Sequence, residues 1–94
     1  MTMTRESAET IGLQALAWIV TSEDLLPTFL GSSGASEDDM RQQAGNPEFL
    51  GSVLDFLLMD DVWIKQVCDA IGAPYDALMQ ARMSLPGGEV VNWT

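Results

Sequence analysis

The stretch NPEFLGSVLDFLLMDD, residues 46–61, limits the fold more than any other part of the chain. Asn46 is a good helix cap, Pro47 suits a first helical position, and Glu48 suits the positive end of a helix dipole. At 100° per residue, Phe49, Leu50, Val53, Leu54, Phe56, Leu57 and Leu58 spread over roughly 200° of the helix surface. A helix this widely apolar is stable in water only with neighbours on several sides. Ser52, Asp55 and Met59 mark its one wetter edge. The remaining segments must therefore supply packing partners.

Those partners read as helices. Ala8, Ile11, Ala15 and Trp18/Ile19 recur at helical spacing over residues 5–20. Thr21 or Ser22 is placed to cap a short second helix through Leu30, with Pro27 in its opening turns. GSSGA reads as a break. Ser36, with Asp39 three residues on, forms a capping-box-like start for a third helix that Gly45 ends. Asp60 caps a fifth helix, residues 61–71, with Trp63, Ile64, Val67 and Ile71 as its buried stripe. Asp61, Lys65 and Asp69 lie four apart on its other side, an ion-pair ladder worth a few tenths of a kcal/mol. Gly72 ends it, and Pro74 is expected to open a sixth helix running to about Ser84. The periodicity then stops.

The expected fold is thus all-α. It is a single domain, residues 1–88, of five or six short helices around a central hydrophobic helix (about 47–59), with a helix-turn-helix-like corner near Gly72. Residues 89–94 form a tail whose Val90, Val91 and Trp93 are suited to dock on the body. Ninety-four residues suffice for one core. No apolar run approaches the roughly 18 residues of a membrane span, and the first ten residues make a poor signal peptide. The lone Cys68 excludes an internal disulfide. A cytoplasmic location is the expectation.

Fourteen acids against four bases give a formal net charge of −10. Nine of the acids, with Arg41 as the one base, fall between Thr21 and Asp61. All but Asp55 sit at an expected cap or first helical turn, where a carboxylate stabilises unpaired N–H groups and the dipole. Much of the acidity is therefore helix punctuation, the competing reading being an acidic binding face.

Three stretches in this order, ALAWIVTSEDLLPTFLGSSG, DDMRQQAGNPEFLGSVLDFLLMDD and AIGAPYDALMQARMSLPGG, resemble the domain-of-unknown-function family 3572. The resemblance runs from about Ala8 to Gly88, and its most specific pieces lie around residues 50–58 and in the LPGG at 85–88. It implies a compact helical, cytoplasmic protein of alphaproteobacteria, and it carries no activity onto any residue. Residues 25–58 are also similar in outline to the three helices of ubiquitin-associated-like domains. The hydrophobic recognition loop of those domains is replaced here by GSSG, so their ligand binding does not transfer.

The chain has no histidine, which removes the commonest general base and most zinc and haem ligation. Cys68 sits near an apolar stripe with Asp69 beside it, the setting of an unreactive buried thiol. SEDD, residues 36–39, lacks the spacing of a calcium loop, and capping explains it. The glycine clusters follow no strand and open no helix with a phosphate-binding lysine. The expectation is a non-enzyme with no cofactor and no metal site.

VCDAIGAPYDALMQAR, residues 67–82, fits helix-turn-helix spacing. A reader of DNA needs several phosphate-contacting bases, and residues 62–94 offer Lys65 and Arg82 against Asp69, Asp76 and Glu89. The segment therefore reads as a packing corner. The leading expectation is a non-catalytic protein-interaction module with an unknown protein partner. Its candidate surface is Tyr75, Met79 and Arg82, residue types enriched at interfaces, helped by Glu37, Asp38 and Asp39. The blander reading has Tyr75 and Met79 closing the edge of the core. The alternative function is a nucleic-acid-linked regulator, using residues 62–84 or an acidic surface that occupies a basic DNA-binding partner. Direct nucleic-acid contact and membrane association are not expected; a homo-oligomer is compatible.

Overall fold

The computed structural model describes residues 3–85. Among these, six helices follow one another: α1 (Arg5–Thr21), α2 (Leu25–Ser33), α3 (Glu37–Gln43), α4 (Pro47–Leu57), α5 (Asp61–Ile71) and α6 (Ala77–Met83). The chain is all-α as expected. The tail expected to dock through Val90, Val91 and Trp93 lies outside the described residues.

Local chemistry sets most boundaries. Thr4 Oγ1 accepts from the Ser7 N–H at the start of α1. Ser36 and Asp39 make the reciprocal capping box, with N–H to side-chain distances of 3.1 and 3.0 Å. Asn46 Oδ1 accepts from the Glu48 N–H at 2.9 Å, and Asp60 Oδ1 from the Val62 N–H at 2.8 Å. Gly72 ends α5 at φ +72°, a left-handed conformation that glycine adopts without a Cβ penalty.

Two boundaries differ from expectation. Helix α2 begins at Leu25, under a 3.2 Å bond from its N–H to Ser22 Oγ, and continues through Gly31 to Ser33. The break falls at Gly34, whose positive φ of 74° lets its N–H close on the Leu30 carbonyl at 3.0 Å. Gly31 has ordinary helical backbone, and one glycine costs a helix only about 1 kcal/mol. Helix α6 begins at Ala77 rather than Pro74. The Pro74 carbonyl accepts from the Ala77 N–H at 3.0 Å, so residues 74–76 form a turn that precedes the helix.

Helix α4 buries Leu50, Gly51, Val53, Leu54, Phe56 and Leu57, as its wide apolar arc requires. It shares the centre with α1, which packs on α2, α4, α5 and α6. Ala8, Gly12, Ala15 and Ile19 line one side of α1, and all are buried. These small residues admit a close approach to α4: a Cβ placed on Gly12 would lie 3.0 Å from the Leu50 Cβ. An aromatic chain ties three helices together. Phe29 meets Phe49 and Phe56 edge-on at centroid distances of 6.2 and 5.1 Å, and Phe56 stacks on Trp63 at 4.8 Å. On α5 the fully buried residues are Val67 and Cys68, while Trp63, Ile64 and Ile71 pack half-buried against the core.

Candidate functional site

The residues singled out from sequence do not form one surface. Helix α6 packs on α1, α4 and α5, while α3 has none of the larger helix contacts. Tyr75 sits in the turn before α6 and is 54 % exposed, and its hydroxyl donates to Asp69 Oδ1 at 3.0 Å. That bond, together with the Asp69 charge, raises the Tyr75 pKa above its ordinary range. Asp69 serves this phenol rather than an ion-pair ladder: no pair of Lys65 with Asp61 or Asp69 forms among the described residues. Met79 is exposed on the outer side of α6.

Arg82 has a different setting from the open surface expected of it. Its side chain is only 16 % exposed, and its guanidinium grips Asp55 with Nε to Oδ1 at 2.6 Å and Nη2 to Oδ2 at 2.8 Å. This two-pronged contact joins α4 to α6. It also gives a role to Asp55, the acid in the central stretch that helix capping does not explain.

Asp39 is spent on the capping box, so the acidic start of α3 presents Glu37 and Asp38 outward. Among the described residues, no three His, Cys, Asp or Glu side chains converge in a way that would hold a metal ion. Cys68 is fully buried, and its thiol pKa is raised by burial first and by Asp69 second.

A concave feature lies elsewhere. Helix α1 is apolar on a second side, where Leu13, Leu16, Ala17 and Val20 follow one another over two turns. Helix α3 is seven residues long and buries one residue, Met40, so it covers this side only in part. Between them runs a groove of about 360 Å³, floored by Leu16 and Met40 and walled by Leu13, Ala17, Val20, Leu26 and Ala44. Its polar edge consists of Thr21, Glu37 and Arg41. Leu13 and Val20 remain 49 % and 47 % exposed. Glu37 is thus the one expected site residue that borders the groove. The sequence signal for it was present in LQALAWIV, whose apolar residues occupy more faces than a single stripe needs.

The groove suits apolar contact. Its lining holds no cysteine or histidine and has a single carboxylate, Glu37, so no thiol, imidazole or carboxylate pair is gathered there. A shallower hollow of about 230 Å³ between α2 and α4 is bordered by Ser32, Ser33, Ser52 and Asp55, the last already held by Arg82. No helix among the described residues is long and apolar enough to cross a membrane.

Neither a curated protein nor a solved structure matches this chain. A family model does match over residues 5–88, confirming the resemblance read from the three sequence stretches. The chain belongs to the family described as protein of unknown function (DUF3572).

Proposed function

We propose that the chain is a non-catalytic protein-interaction module whose docking surface is the groove between α1 and α3. The observation that carries this reading is the half-exposure of Leu13 and Val20 beside a concave apolar floor, on a helix whose other side is fully closed. Leu13, Leu16, Ala17 and Val20 recur at three and four residues and extend about 10 Å along the helix axis. That length and spacing match two turns of a partner helix laid in the groove. The surface around Tyr75 and Met79 is a poorer candidate, because its arginine is held by Asp55. The same facts weaken a nucleic-acid reading: Tyr75 and Asp76 precede α6, and Arg82 faces a carboxylate.

The test uses affinity purification from native extract with the intact chain, a Leu13→Asp/Val20→Asp variant and a Tyr75→Ala variant. A stoichiometric protein partner that is lost with the first variant and kept with the second supports the groove, provided circular dichroism shows both variants folded. Purified partner and chain should then reconstitute the complex. Loss with Tyr75→Ala alone would move the surface to α6, and a partner indifferent to both would overturn the reading.

A further inference from the structure

The surroundings of the groove say what its occupant must carry. Glu37 and Arg41 lie four apart on α3 and both border the groove, but no ion pair closes between them. Glu23 and Asp24 occupy the short connection between two lining residues, Thr21 and Leu26. Asp38 adjoins Glu37 on the first turn of α3. The carboxylates of Glu23, Asp24, Glu37 and Asp38 make no hydrogen bond or ion pair among the described residues. Glu37 thus borders the apolar floor, with Asp38, Glu23 and Asp24 next to lining residues along the chain, against the single guanidinium of Arg41.

Three occupants are conceivable, and charge separates them. A second copy brings a further net −10 to a surface that is already acidic, so approach is repulsive. The chain's own residues 86–94 contribute Glu89 and no base, which adds to the imbalance. A partner segment with lysine or arginine on its polar side relieves it. Resting on the groove reading above, we infer that the occupant is a cationic amphipathic helix of a protein partner. Its apolar side lies on Leu13, Leu16 and Val20, and its basic residues face Glu37 and the neighbouring acids. Arg41 sets the polarity of the arrangement, being suited to meet the carbonyl-bearing C-terminal end of that helix.

Two synthetic peptides, each about 14 residues long, share one leucine stripe and differ only in having lysine or glutamate on the polar side. Each is titrated into the full-length ¹⁵N-labelled chain, following amide shifts. The lysine peptide is expected to move the amides of Leu13, Val20 and Met40 and to bind at least about tenfold more tightly than the glutamate peptide, a difference within reach of a few exposed ion pairs. Glu37→Lys/Asp38→Lys should shrink that preference. Equal binding of both peptides in the groove would overturn the inference about charge and leave the groove reading standing. Lysine-peptide shifts scattered over the surface and unaffected by Val20→Asp would overturn both, as would no binding by either peptide. If Val90→Asp or Trp93→Asp alone moves the groove amides, the groove belongs to the chain's own C-terminal residues and the inference fails.

Discussion

Ile19 and Val20 are neighbours on α1, yet the first is completely buried and the second is half exposed. The difference belongs to the two sides of one helix. On the closed side, Ala8, Gly12, Ala15 and Ile19 lie in the core, and the small residues bring α1 close to α4. On the open side, Leu13 and Val20 are as apolar as anything in the core, but seven-residue α3 is too short to cover them. Burial thus follows from what stands opposite a residue, and hydrophobicity alone does not decide it. A helix with two apolar sides, one closed and the other covered only in part, keeps apolar surface exposed among the described residues.

The sharpest way to break this comparison is to truncate both neighbours. Ile19→Ala should cost about 2–5 kcal/mol of unfolding free energy, against about 0.5 kcal/mol or less for Val20→Ala. Urea denaturation with a shared slope checks this, and similar losses at the two positions would refute the assignment of sides. A pair of glycines sharpens the point. Ala at Gly12 gains helix propensity, but its Cβ presses on the Leu50 Cβ, which cannot rotate away, and a net loss of about 1 kcal/mol is expected. Gly31 in α2 has nothing within 4 Å of an added Cβ, so Gly31→Ala should stabilise by roughly 0.5–1 kcal/mol. The two substitutions should move the thermal midpoint in opposite directions.

The smallest effect is alkaline. Cys68 shares the core cluster with Ala8 and Ala15, and its folded-state pKa is raised above the ordinary 9.0 by burial and then by Asp69. Folding therefore favours the neutral thiol. This contribution is complete below pH 9.0 and is lost as pH rises through the raised value. Tyr75 acts in the same sense above its ordinary 10.0, weakly because it is exposed. Urea midpoints should decline above pH 9, and Cys68→Ala should flatten the decline. A flat profile in the parent chain would contradict a thiol held neutral in the core.

Legibility in the sequence followed the range of each interaction. The caps at Ser36, Asn46 and Asp60 and the stop at Gly72 were readable because each is settled within about four residues. The apolar arc of α4 was readable because it repeats along one helix. The pair of Asp55 with Arg82 was not, since it spans 27 residues and depends on how α4 crosses α6. The groove was hidden for a similar reason: Leu13 and Val20 look like core residues until α3 is seen to stop short of covering them. The late start of α6 reflects a local competition, in which Pro74 is equally at home in a turn and in a first helical position.

One modest contact has a consequence for how the molecule is made. Ser84 Oγ donates to the Met3 carbonyl at 3.0 Å, and α6 packs along α1, so the two ends of the described chain are joined across a separation of 81 residues. Helix α1 thus precedes in the chain the helices that close over it. Until α4 and α6 emerge, the closed side of α1 is as unprotected as its open side. Closure of the described core therefore needs residues from both ends of its span, and a chain interrupted before α6 would leave apolar surface of α1 uncovered.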